Sequence, residues 1–324
     1  MNLTEIAAPV HEYFAGFDSV FHDKLRSSVP LVDKVVQYIA QKRGKRLRPL
    51  FVFLSAKLHG KLTPKAMDAG IVVEMFHTAT LVHDDVVDES SLRRGSRTVN
   101  DIWDNKISIL IGDLLFSKTL TSIVALRDHH AVAILSAAAE RITEGELLQI
   151  ALTADSNVSE EDYFDLISKK TAALFSASCQ LGVLTAGQNG PALENMKTFG
   201  ENYGIAFQIM DDLLDYMGHQ DKLGKPTGND LREGKMTLPL IHALGTAETS
   251  ERDAIMEIMD RGIDRENDIQ RIVDFVTAQG GVEYAMDLVQ QYTNQALSTL
   301  EGYSNSEARQ SLIDLVHFST RREN

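Results

Sequence analysis

A single cysteine, Cys179, leaves no internal disulfide to form, which suits a reducing compartment. Prolines are scarce as well, seven in 324 residues, so long segments are open to uninterrupted helix. No apolar run reaches the length of a membrane span: "AGIVVEMFHTATLV" at 69–82 is too short and is broken by Glu74 and His77, so no transmembrane helix is expected. The first residues, "MNLTEIAAPVHEYF", lack the basic region and continuous apolar core of a secretory signal, and the cytoplasm is the expected compartment. Basic residues are outnumbered 32 to 46, for a formal charge of −14. Such a chain repels nucleic acid and anionic membrane unless its cations are gathered locally, so their positions carry information.

What is present reads as helix. Apolar residues recur three and four apart in "VDKVVQYIA" (32–40), "DYFDLISKKTAALFSASCQLGVL" (162–184) and "MDLVQQYTNQALSTL" (286–300). Thr63 before Pro64, and Ser159 before a run of acids, are N-cap signals. "GQNGPALE" (187–194) reads as a link between helices, and no series of alternating strands is evident. Hydrophobic residues make up 44% of the chain, enough for a large core, and no Gly/Ser-rich linker divides it. The expectation is an all-α, single-domain bundle of a dozen or so helices spanning 1–324.

Two hydrophobic stretches are loaded with carboxylates, "LVHDDVVDES" (81–90) and "IMDDLLDYM" (209–217). On a helix Asp84 and Asp88 project together with Asp85 displaced by about 100°, and Asp211, Asp215 and Asp212 repeat the arrangement. A solvated acidic face, or acids favouring a helix N-terminus, is the plain alternative. Two copies with apolar flanks favour ligand patches. Zinc would want His and Cys, and an EF-hand would want a glycine among alternating ligands; Mg²⁺ fits better, because it takes one or two carboxylates and completes its shell with water and phosphate oxygens.

The cations point the same way. "KRGKRLRP" (42–49) and "LRRG" (92–95) are dense in charge, and lysines recur in "SKKTAAL", "KLGKPTG" and "REGKMTLP". Each alone is an ordinary surface charge; gathered near the acidic clusters in an acidic chain they favour phosphate binding. A nucleotide is disfavoured, since neither G-x-x-x-x-G-K-[ST] nor a G-x-G-x-x-G opening a helix occurs.

Taken in order, "GKRLRP" (44–49), "HDDVVDESSLRRG" (83–95), "KKTA" (169–172), "FQIMDDLLD" (207–215), "LGKPTGND" (223–230) and "EGKMTLP" (233–239) resemble the trans-type isoprenyl diphosphate synthases of the polyprenyl synthetase family. The resemblance implies the isoprenoid synthase fold, helices around a central elongation cavity, and head-to-tail prenyl transfer: an allylic diphosphate ionises, isopentenyl diphosphate attacks the carbocation, and a proton is lost. It implies that Asp84, Asp85, Asp88, Asp211, Asp212 and Asp215 hold Mg²⁺, three ions per site, on the allylic diphosphate. It places Arg93, Lys170, Lys225 and Lys235 on that diphosphate, and Lys45, Arg48, His77 and Arg94 on isopentenyl diphosphate. Thr171 and Gln208 would line the carbocation with oxygen dipoles. A homodimer is implied, and a transient membrane contact at product release is left open. The family pattern carries two glycines before KRLRP, where this chain has Arg43 at the first, which puts the loop geometry in question.

Product length should be set on the helix carrying the first cluster, expected at about 67–88. One turn rises about 5.4 Å, close to an extended isoprene unit. Relatives that stop early carry bulky aromatics four and five residues before the first Asp; here those positions are Thr80 and Ala79, with Phe76 a deeper floor. The small residues imply a product longer than geranylgeranyl diphosphate, and with the unexpanded Asp-Asp-x-x-Asp spacing the stretch "HTATLVHDDVVDES" resembles the long-chain synthases, of the octaprenyl or heptaprenyl kind, that make quinone side chains. The plain alternative is that Ala79 and Thr80 are helix-packing residues and another helix sets the floor; a shorter-chain farnesyl or geranylgeranyl diphosphate synthase is a further reading. A terpene cyclase, which needs no isopentenyl diphosphate site, and a noncatalytic subunit of a heteromeric synthase are the other readings. The apolar segment 107–126 is either an interface helix or core.

Overall fold

The computed structural model describes residues 2–42, 44–93, 95–153, 157–217, 228–263 and 265–320. Helices of eight residues or more are α1 His11–Leu25, α2 Pro30–Gln41, α3 Leu47–His59, α4 Pro64–Val87, α5 Asn105–Ala125, α6 His129–Thr153, α7 Glu160–Ile167, α8 Ala173–Thr185, α9 Pro191–Met217, α10 Leu238–Thr246, α11 Thr249–Asp260, α12 Glu266–Ala278, α13 Gly281–Ser298 and α14 Glu307–Thr320. The strands among the described residues are β1 Leu92–Arg93 and β2 Ser96–Arg97, a minimal antiparallel hairpin. The all-α expectation holds.

The contacts sort into two compact units. The first comprises 1–136, 177–197 and 303–315. Its core is built on α3, whose "LFVFLSA" stretch is apolar all round and buried, with Phe53 edge-on to Phe17 at 6.1 Å. Gly182 lets α8 cross α3 closely, since a Cβ there would lie 2.4 Å from the Val52 carbonyl. Burying each Leu or Phe of this kind contributes roughly 1.5–3 kcal/mol. α5 packs along α4, burying Ser108, Ile111, Gly112, Leu115 and Ile123. Its other side exposes Ile109, Leu110, Phe116, Leu120 and Val124. By length and hydropathy alone α5 could cross a membrane, with a third of its most apolar window buried, contrary to the expectation that no run is long enough.

The second unit comprises 137–176, 198–302 and 316–324. One of its cores joins Tyr163 and Ile167 of α7 to Ile205, Ile209 and Leu213 of α9, with Ala285 and Val289 of α13. Ser159 caps α7 in a reciprocal box with Asp162, as its sequence signals. Thr63 differs: it stands at the α4 N-cap, but its hydroxyl donates to the Thr185 carbonyl (3.1 Å) rather than accepting a helix N–H. The stretch 162–184 is helical as expected, yet Ser168–Ala172 winds as a π-helical turn between α7 and α8. The apolar spacing does not announce that change, because a single π turn is defined by its i→i+5 backbone bonds.

Candidate active site

In the first unit the last turn of α4 carries Asp84 and Asp85, and Asp88 is its C-cap, donating its N–H to the Asp84 carbonyl at 2.8 Å. The helix runs 64–87 rather than 67–88. This end is the negative pole of the helix, where carboxylates are disfavoured and cations favoured, the opposite of an N-terminal acidic turn. Asp85 is 5% exposed and accepts from Arg93 Nε at 2.6 Å. Burial pushes its carboxyl above the ordinary range, against the pull of Arg93. The hairpin brings Arg93 back onto the helix, and Asn100 pins the connection by donating to the Asp85 and Ser90 carbonyls (3.2 and 3.0 Å).

The basic stretch sits in the same unit. Lys45 is exposed, and Arg48, in the first turn of α3, donates from Nη1 to His77 Nε2 at 3.1 Å. Two predicted diphosphate ligands are thus brought together, with His77 two turns before Asp84 on α4. Ala79 is buried, and Phe76 lies against Phe116 with ring centroids 5.9 Å apart. Thr80 is half-buried, its hydroxyl turned to the His77 carbonyl at 2.9 Å.

In the second unit Asp211, Asp212 and Asp215 occupy the last two turns of α9. Asp212 is buried and accepts from Tyr163 Oη (2.6 Å) and Gln208 Nε2 (2.8 Å), while Gln208 accepts from Thr171 Oγ1 (2.7 Å). Asp215 accepts from the backbone N–H groups of Asn229 and Asp230 (3.1 and 2.9 Å). Lys170 Nζ donates to Glu146 and Gln149, each at 2.8 Å, and Lys235 pairs with Asp230 and Glu233. Lys170, Thr171, Gln208, Asp212, Asp230 and Lys235 line one cavity of about 130 Å³. Burial, then the neighbouring Asp230, drives the Asp212 carboxyl well above the usual aspartate range; the bonds from Tyr163 and Gln208 oppose this. Burial raises Asp230 too, against Lys235.

Local backbone explains how Lys170 and Thr171 reach this cavity. The π turn re-aims them, and Arg141 holds it by donating to the Ser168 carbonyl (3.1 Å) and hydroxyl (2.7 Å) and to Glu201 (2.6 Å). Glycines press close on both sides: a Cβ at Gly145 would lie 2.9 Å from the Lys170 nitrogen, and one at Gly204 2.4 Å from the Ala172 Cα. Arg94 and Lys225, and the doubtful Arg43, lie outside the described residues. Tyr163, Asp230, Glu146 and Arg141 escape the sequence reading. Only Asp230 carries a signal, at the end of "LGKPTGND".

The donor set fits Mg²⁺. Its atoms are carboxylate oxygens at helix C-terminal ends, the hard donors that such an ion takes beside water and substrate oxygens. Such helix ends, set beside lysines and arginines, define an all-helical, divalent-metal enzyme of diphosphate substrates. The polyprenyl synthetase family profile matches residues 29–276. Octaprenyl diphosphate synthase of Escherichia coli (strain K12) is 33% identical over 323 residues, 100% of both chains. The structure of polyprenyl synthase from Caulobacter crescentus CB15, complexed with calcium and isoprenyl diphosphate, superposes with TM-score 0.93 at 34% identity, covering 99% of this chain and 98% of its own. Decaprenyl diphosphate synthase from Rhodobacter capsulatus gives 0.94 at 34% identity, with 99% of each chain covered. The chain belongs to the polyprenyl synthetase family, and its activity is that of a polyprenyl diphosphate synthase, joining isopentenyl diphosphate to an allylic diphosphate.

Proposed function

We propose that this enzyme makes a long-chain polyprenyl diphosphate, longer than geranylgeranyl diphosphate, from isopentenyl diphosphate and an allylic primer. The observation that carries this reading is the pair of small side chains, Ala79 and Thr80, five and four residues before Asp84 on α4. The products named for the Escherichia coli and Rhodobacter capsulatus relatives, octaprenyl and decaprenyl diphosphate, support it. Incubation with farnesyl and isopentenyl diphosphates, followed by chromatography of the dephosphorylated product, tests it. A product ending at geranylgeraniol overturns it; Ala79→Phe is expected to shorten a longer one. Quinone side chains are the proposed destination, tested by the quinone masses of a deletion strain.

In this reading Asp84, Asp85, Asp88, Asp211, Asp212 and Asp215 are ligands to Mg²⁺ on the allylic diphosphate. When bound, Mg²⁺ supplies Lewis-acid neutralisation of the departing pyrophosphate. Arg93, Lys170, Lys225 and Lys235 add fixed positive charge to that leaving group, and Thr171 and Gln208 offer oxygen dipoles to the allylic cation. Lys45, Arg48, His77 and Arg94 hold the diphosphate of isopentenyl diphosphate, leaving its double bond to attack. The proposed working form is a homodimer through the exposed face of α5. Asp113 and Lys118 lie in mid-helix, where a lipid setting would charge heavily for them. Sedimentation of the wild type against Leu120→Glu tests the dimer.

A further inference from the structure

Between the two residues read as isopentenyl diphosphate ligands stands a third cation that faces the other way. Arg46 donates from Nε to Asp18 (3.0 Å) and from Nη1 to Glu74 (2.6 Å), and its side chain is 11% exposed. Its guanidinium lies over the rings of Phe21 and Phe17, 5.0 and 5.9 Å from their centroids. To reach a diphosphate in solvent it would have to abandon two carboxylates and two aromatic faces. Arg46 also holds a left-handed backbone (φ 51°, ψ 37°), a conformation that L side chains rarely adopt unless their surroundings impose it. Its carbonyl accepts from the Leu50 N–H (3.1 Å) and so starts α3.

The geometry points to Arg46, with Asp18 and Glu74, as the positioning element that sets Lys45 and Arg48 for the diphosphate of isopentenyl diphosphate. Glu74 and His77 are three residues apart and share a face of α4. They grip Arg46 and Arg48, two residues apart in the turn and first coil of α3. The basic segment is therefore fixed to α4 at two points, while Lys45 between them and the preceding loop stays exposed. A planar guanidinium reaches both Asp18 and Glu74 in fixed directions, which a lysine ammonium would not reproduce. The inference rests on the proposed ligand role of Lys45 and Arg48.

Steady-state kinetics with each substrate varied at saturating partner, alongside thermal melting, tests it. Glu74→Gln is expected to raise KM for isopentenyl diphosphate about tenfold, because a shift of an ångström in a binding group is costly. KM for the allylic diphosphate and kcat should stay near wild type. Removing one member of a buried ion group also strands its partner, so the decisive variant is the double Arg46→Met/Glu74→Met. It removes the two buried charges together and leaves only the half-exposed Asp18, which water can reach, so it should regain melting temperature and should keep the raised KM. Asp18→Asn, at the half-exposed end of the triad, serves if the double variant does not fold. A stable double variant with wild-type KM for isopentenyl diphosphate overturns the positioning role while Lys45→Ala still raises that KM. If Lys45→Ala leaves KM unchanged, the ligand assignment itself fails, and the positioning role falls with it.

Discussion

At the end of α4 the buried carboxylate, Asp85, is met by a guanidinium; at the end of α9 the buried carboxylate, Asp212, is met by a phenol and a carboxamide. The first cluster brings its own counter-charge on a hairpin. The second is left in net negative company, with Asp230 the strongest electrostatic neighbour and Asp211 beside it. Neutral donors fix the direction of Asp212 without cancelling its charge. In the proposed metal-binding role, Asp212 would offer a cation an oriented, desolvated carboxylate among other acids, whereas at Asp85 the cation would compete with Arg93. The second cluster should therefore be the more demanding in metal and the less tolerant of change.

The largest expected effect follows directly. Asp212→Ala should lower kcat by about 10³-fold, the scale of losing one preorganised electrostatic group in a buried site. Asp88→Ala, at the exposed cap of α4, should cost less. Single-turnover rates at saturating Mg²⁺ measure both, and equal losses would erase the distinction between the clusters.

The acidic clusters were legible because carboxylates in apolar helices are costly enough to stand out in one dimension, and the cations because the chain is otherwise acidic. Helix boundaries came within a few residues where Pro64 and Ser159 mark them. The difference between the clusters was not legible. It depends on a tyrosine forty-nine residues before its partner and on a hairpin that folds Arg93 back over eight. Nothing in the identity of Tyr163 separates a core tyrosine from one that donates to Asp212. Arg46 was hidden for the opposite reason: it sits in a conspicuous basic motif, where composition suggests a ligand, and only its left-handed turn and carboxylate partners reveal an anchor.

The cations differ as the carboxylates do. Lys170 is carried on a π turn packed against glycines, so its placement depends on backbone contact; Arg93 is a half-exposed side chain held by its pair with Asp85. Gly145→Ala forces a Cβ against the Lys170 backbone, and displacement of that lysine and of Thr171 should cost roughly 10²-fold in kcat/KM for the allylic diphosphate. Arg93→Ala should cost nearer tenfold, chiefly in KM, since one charge-assisted contact is lost. If the Arg93 variant proved the more damaging, the ordering of backbone-held and side-chain-held cations would be reversed.

The smallest effect lies in the stability of the protein held in EDTA. Burial and neighbouring acids raise Asp212 and Asp230 in the folded state above the ordinary aspartate value of about 3.9. Between those values the folded chain binds more protons than the unfolded one, so stability is fully present below about 3.9 and is lost as pH rises through the raised pair. Mg²⁺, binding the ionised carboxylates of the folded state, should restore it at the upper end of that window and raise the melting temperature there. Asp230→Asn removes one of the mutually repelling charges without touching the bonds to Asp212 from Tyr163 and Gln208. It should flatten the pH dependence of melting in EDTA and shrink the gain from Mg²⁺. Asp88→Asn, at the exposed cap of α4, is the matching variant at the other cluster. Melting curves of the two variants across pH, with and without Mg²⁺, would match if the clusters were electrostatically equivalent, and the Asp230→Asn profile would be the flatter if the buried pair Asp212 and Asp230 carries the strain.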